Sequence, residues 1–117
     1  DEFPAFYSRK SGFPTECRQD DPATIADMIN AKADLGLRGG MLIACPIPEK
    51  DEIPSEEINS VIDQAVKECE EQGVKGKKIT PFLLSRVKDL TEGRSLEANI
   101  KLVLNNAEIG SKIANNL

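Results

Sequence analysis

The sequence predicts an α/β chain, rich in helix, with one short buried strand and about four helices. Three observations lead to that class. Caps or acidic starts at Asp20-Asp21-Pro22, Ser55, Thr80-Pro81 and Ser95 each open a stretch whose apolar residues recur at helical spacing. One uninterrupted apolar run, Met41-Leu42-Ile43-Ala44-Cys45, stands between Gly39-Gly40 and Pro46-Ile47-Pro48, as a strand buried on both faces does. Finally, 117 residues at 39% apolar composition suffice for one core.

Residues 1 to 19 hold four of the chain's five aromatic residues (Phe3, Phe6, Tyr7 and Phe13) among Pro4, Gly12 and Pro14. They read as an extended, turn-rich segment whose rings need cover from elsewhere, either a larger polypeptide or a partner subunit. Residues 20 to 117 then read as helix, strand, helix, helix, helix. The first helix carries Ile25, Ala26, Met28, Ile29, Ala33 and Leu35, and Gly36 stops it. After the strand, two prolines that lack an N–H block any continuation, and the charged loop from Glu49 to Glu52 crosses the surface. Ser55 caps a second helix with stripe Ile58, Val61, Ile62, Ala65, Val66 and Cys69, ending at Gly73, while Asp63, Lys67, Glu68, Glu70 and Glu71 form a solvated face. The basic cluster Lys75-Gly76-Lys77-Lys78 reads as a solubilising loop before a third helix, Thr80 to Gly93, that buries Phe82, Leu83, Leu84, Val87 and Leu90.

The last helix, beginning after Ser95 and reaching the C-terminus, is the most informative. At about 100° per residue, Leu96, Ile100, Val103, Ala107, Ala114 and Leu117 share one side, widened by Leu102, Ile109 and Ile113. Asn99 and Asn106 fall inside that arc, whereas Asn105 points the other way. A carboxamide on an apolar stripe loses water and needs partners, which are either a ligand or backbone carbonyls that fix packing register.

Composition narrows the function. A net charge of -5 gives no basic field for nucleic acid or an anionic membrane. The longest apolar run is far too short to span a bilayer. Cys17, Cys45 and Cys69 show neither zinc spacing nor disulfide density, and Cys45 and Cys69 read as small buried side chains, so a reducing, cytoplasmic setting is expected. The absence of His excludes Ser-His-Asp and Cys-His catalysis within the segment. A start at Asp1 without Met or a signal-like leader suggests a cut chain.

The ordered motifs Asp-Glu-Phe-Pro-Ala-Phe-Tyr-Ser-Arg at 1 to 9, Gly-Leu-Arg-Gly-Gly at 36 to 40, Pro-Ile-Pro at 46 to 48, Ile-Thr-Pro-Phe-Leu-Leu at 79 to 84 and the asparagine-bearing last helix closely resemble the C-terminal part of the pseudouridine-5′-phosphate glycosidases, the indigoidine synthase A-like family. The resemblance covers essentially the whole chain. It implies the helix-rich C-terminal portion of a single α/β/α domain, a homotrimer, and Mn2+ as cofactor. It further implies reversible cleavage of the C–C bond of pseudouridine 5′-phosphate to uracil and ribose 5-phosphate through a lysine Schiff base.

An iminium on the opened sugar is an electron sink that lets a carbon leaving group depart, and its lysine must be desolvated or placed beside positive charge. None of the ten lysines here matches the family's lysine, and Lys32, Lys67, Lys88 and Lys112 read as exposed helix residues. The resemblance therefore places the lysine, the acidic groups and the metal ligands in an N-terminal part, with no catalytic or metal residue in this segment. The family match together with the helical geometry makes Asn106 and Asn99 the leading substrate-binding candidates, since a carboxamide reads the donors and acceptors of uracil or ribose. Glu2 and Tyr7 follow, against the alternative of an ordered loop anchored by Phe3 and Phe6. Two other functions remain open: a non-catalytic binding or assembly module, and a related lyase acting on another sugar phosphate.

Overall fold

A computed structural model describes residues 2–117; Asp1, the first residue of the predicted extended segment, lies outside them. Four α-helices form: α1 (Pro22–Asp34), α2 (Ser55–Glu71), α3 (Ile79–Leu90) and α4 (Arg94–Ala114). Short 3-10 turns at Glu49–Asp51 and Gly76–Lys78 precede α2 and α3. α4 is the spine, about 31 Å long at 1.5 Å per residue. α3 and α1 pack against it, and α2 packs along α3.

Local chemistry sets the helix ends. Asp21 caps α1 by accepting from the amides of Ala23 (3.3 Å) and Thr24 (3.1 Å) and from the Thr24 hydroxyl (2.7 Å), with Pro22 in the first turn. Three other predicted caps are displaced. Ser55 is the first helical residue of α2 behind Pro54, α3 already begins at Ile79 and α4 at Arg94, so none of Ser55, Thr80 and Ser95 caps its helix. Before α3 the 3-10 turn leaves Lys78 already in the right-handed helical region, so that helix starts early, whereas the extended Pro54 acts as the boundary residue of α2 and its carbonyl accepts from the Glu57 and Ile58 amides. Between α3 and α4 the chain reverses through Gly93 at φ 88. The buried Thr91 hydroxyl donates to the Val87 carbonyl (2.8 Å) and accepts from the Ser95 amide (3.1 Å), so it ties the end of α3 to the first turn of α4.

The core has two parts along α4. The larger gathers Tyr7, Ile47, Ile53, Ile58, Ala65, Val87, Ala98 and Leu102; the smaller joins Ile25 and Ala26 of α1 to Ile113. The buried face of α4 is thus Ser95, Ala98, Leu102 and Ile113. The stripe read from periodicity is split: Leu96, Ile100 and Val103 are exposed, Ile100 at 49%, whereas Leu102 and Ile113 of the same stripe are buried and Ile109 packs beside Ile113. α4 carries two apolar arcs, and periodicity alone ranks the longer one first without knowing which meets the other helices.

The predicted strand does not form among the described residues. A strand is a property of a pair, and Met41–Cys45 has no ladder neighbour, so it runs as irregular backbone with Leu42 80% exposed. The N-terminal segment is extended as predicted, closed by a bridge between Glu2 and Pro14 and a Phe3 amide to Phe13 carbonyl bond of 2.7 Å. Its Phe13 and Phe3 remain exposed, as do Leu35 and Leu37. The radius of gyration is 17.1 Å against about 13 Å for a compact chain of this length. The surface is 8353 Å² against roughly 6,300 Å² for a compact chain of this mass.

Candidate functional site

A cleft of about 460 Å³ opens between the aromatic segment, the start of α1 and the run Met41–Ala44. That volume suits a small polar ligand. Phe3, Pro4, Ile25, Met28 and Met41–Ala44 give it apolar walls, and Glu2, Arg9, Lys10, Arg18 and Asp20 bring charge to it. Arg18 pairs with Asp20 at 2.9 Å.

Glu2 is fixed by the turn it faces. Its Oε2 accepts the amides of Ser11 (3.0 Å) and Gly12 (2.9 Å). The Gly12 amide first, then the Ser11 amide, hold its carboxyl below the usual carboxylate range, so it is an anion at neutral pH. The cleft takes in Glu2 but not the other three predicted site residues. Tyr7 is 7% exposed, its ring set edge-on to Phe6 with centroids 4.8 Å apart and its phenol against the Ser95 hydroxyl. Burial pushes that phenol up and the Ser95 contact offsets part of the rise. Tyr7 therefore serves the core in this structure.

The asparagines part company on α4. Asn106 is exposed and Asn99 half-buried, and both border the outward arc of Leu96, Ile100 and Val103. Asn105, one residue away, lies on the inward side and donates Nδ2–H to the Pro46 carbonyl at 3.1 Å. Pro46 lines the cleft, so α4 and the cleft meet there. Periodicity separated Asn105 from its neighbours but placed Asn99 and Asn106, not Asn105, on the buried side. Leu102, Ile109 and Ile113 were read only as the edge of the stripe; with Ala98 they are its inward part, and Asn105 falls with them. Arg9 was also missed. Its amide donates to Glu52 Oε2 (2.9 Å) and its Nη1 to the Ile47 carbonyl (2.7 Å).

Among the described residues no three His, Cys, Asp or Glu side chains gather as a metal-holding group, so these residues do not fit a manganese site. No lysine is buried. Nine are exposed, and the half-buried Lys32 is tied by Nζ to the carbonyls of Leu37 (2.9 Å) and Gly39 (2.6 Å). The arrangement offers binding and orienting groups rather than an activated nucleophile. Among the described residues no helix is long and apolar enough to cross a membrane.

Comparison with known proteins agrees with the motif order. Residues 1–116 match the indigoidine synthase A like protein family. The chain is 54% identical over 114 residues to a pseudouridine-5′-phosphate glycosidase of Lysinibacillus sphaericus (strain C3-41), covering 97% of this chain and 38% of that protein. It is 53% identical over 114 residues to one of Clostridium botulinum (strain Langeland / NCTC 10281 / Type F), covering 97% and 37%. This chain therefore spans under two fifths of the length of those relatives. Among solved structures, an indigoidine synthase A-like protein from Thermotoga maritima superposes with a TM-score of 0.82 at 34% identity, covering 97% of this chain and 37% of that one. A prealnumycin C-glycosynthase in complex with ribulose 5-phosphate superposes with a TM-score of 0.80 at 25% identity, covering 98% and 39%.

Proposed function

Because the chain belongs to the indigoidine synthase A-like family, we propose that it is the C-terminal portion of an enzyme that reversibly cleaves the C–C glycosidic bond of pseudouridine 5′-phosphate. The products are uracil and ribose 5-phosphate. The observation that carries this reading is the 54% identity to a pseudouridine-5′-phosphate glycosidase across 97% of the chain. The sugar-phosphate complex of the C-glycosynthase neighbour supports the same substrate class.

In this reading the segment forms a wall of the active site and leaves the bond-breaking amine to another part of the protein. The exposed or carbonyl-bound state of all ten lysines supports that division, since a Schiff-base lysine needs a desolvated setting. Mn2+, where it takes part, is held by residues outside this segment. Asn99 and Asn106 meet the ribose or the uracil imide by donating and accepting hydrogen bonds, and Glu2 closes the far side of the cleft as a fixed anion. Met41–Cys45 joins a sheet completed by other residues of the protein, and the outward arc of α4 packs against that part or a neighbouring subunit of a trimer. The exposed apolar residues of both elements support that cover. Three free cysteines fit a reducing, cytoplasmic setting.

The test is to incubate the complete product of the gene with pseudouridine 5′-phosphate and follow free uracil. Release of uracil, and synthesis in reverse from uracil and ribose 5-phosphate, supports the enzyme. No conversion in either direction with Mn2+ present would leave the non-catalytic module or a lyase acting on another sugar phosphate.

A further inference from the structure

The run Met41–Ala44 is held at both ends and between them only by a long contact of the Cys45 thiol with the Ile43 carbonyl, at 4.0 Å. Among the described residues its N–H and C=O groups have no backbone partner. Upstream, Lys32 Nζ grips the carbonyls of Leu37 and Gly39. Downstream, two consecutive carbonyls are taken by donors from opposite ends of the chain: Pro46 by Asn105 at 3.1 Å, and Ile47 by Arg9 at 2.7 Å. Neither Pro46 nor Pro48 has an N–H, so the turn is short of donors of its own and its carbonyls draw partners from elsewhere. The Ile47 side chain, 0% exposed, supplies the third fixed point.

We propose that Asn105 and Arg9 are positioning residues, which hold the Pro46-Ile47-Pro48 turn so that Met41–Ala44 stands as a preformed wall of the cleft beside α4. This rests on the reading of the cleft and the asparagine face as one sugar-phosphate site. Asn105 does not line the cleft, and Arg9, which does, commits its Nη1 to the Ile47 carbonyl. Each acts through the turn, and loss of either leaves a proline-flanked carbonyl unpaired and the wall free to shift. Small displacements of a substrate wall lower turnover more than they lower stability.

The experiment uses Asn105→Asp, which keeps the shape and removes the donor, and Arg9→Lys, which keeps the cation and removes the fork. Both are made in the complete gene product with Cys17→Ser. Two quantities are read: kcat and KM for pseudouridine 5′-phosphate, and the alkylation rates of half-buried Cys45 and buried Cys69. The expected result is a fall in kcat of about tenfold with KM changed less than about threefold. Cys45 should be alkylated faster while Cys69 keeps its rate. Wild-type kcat and an unchanged Cys45 rate in both variants overturn the proposal. So do Cys45 and Cys69 rising together with a lowered Tm, which marks general loosening. If the parent protein leaves pseudouridine 5′-phosphate intact, the functional reading falls separately. The ratio of Cys45 to Cys69 alkylation then still decides the clamp.

Discussion

The Ile53 amide donates to the Tyr7 carbonyl at 2.8 Å, so the aromatic N-terminal segment and the loop before α2 form one unit. The Tyr7 ring enters the larger core beside Ile53 and Ile58, and its phenol meets Ser95 at the start of α4. One residue thus connects three parts of the chain that lie far apart in sequence.

Tyr7→Ala removes most of a buried ring and should destabilise by about 3–5 kcal/mol, while Tyr7→Phe loses only the hydroxyl contact and should cost about 1 kcal/mol. Urea unfolding measures both. Full activity and little stability loss in Tyr7→Ala would contradict the core placement.

Asn106 is exposed and among the described residues no hydrogen bond fixes its side chain, so its removal costs the fold little. Asn106→Ala in the complete enzyme should lower turnover of pseudouridine 5′-phosphate more than about tenfold with nearly unchanged Tm. A large stability loss with unchanged turnover would return Asn106 to a packing role.

The Arg86 guanidinium meets Glu68 across the α2–α3 seam through Nε and Nη2. Hydrogen bonding from Arg86, then from Gln64, holds the Glu68 carboxyl below its ordinary value. A carboxylate depressed by folding contributes stability that is present above its unfolded pKa and is lost as pH falls through the folded pKa. Arg86→Gln should therefore lower Tm at pH 7, and the gap to wild type should narrow as pH drops through and below the ordinary glutamate range. Thermal melts across that window measure it. A gap independent of pH would assign the effect to packing.

Much of this fold was legible in the sequence. The four helices followed from Asp21-Pro22, the glycine stops at Gly36, Gly73 and Gly93, and the repeat of Ile58, Ala65 and Cys69. Those signals are local, and local chemistry decides them. Met41–Cys45 forms no strand because no ladder partner stands beside it among the described residues, and a partner is not a local property of the run. The inward face of α4 was read only in part: Leu102, Ile109 and Ile113 turn inward, Leu96, Ile100 and Val103 do not, because apolar residues lie on both sides and only tertiary packing chooses between them. Glu2 lines the cleft, and the Ser11 and Gly12 amides account for its charge. Arg9 and Asn105 were not legible, since their partners Ile47 and Pro46 stand 38 and 59 residues away.

The account holds that this segment shapes and reads the substrate while the reactive amine sits elsewhere in the protein. Borohydride reduction of the complete gene product with ribose 5-phosphate, followed by peptide mass spectrometry, tests it most directly. The account predicts a covalent sugar phosphate on a lysine outside residues 1–117 and none on this segment. A label on any lysine from Lys10 to Lys112 would contradict it.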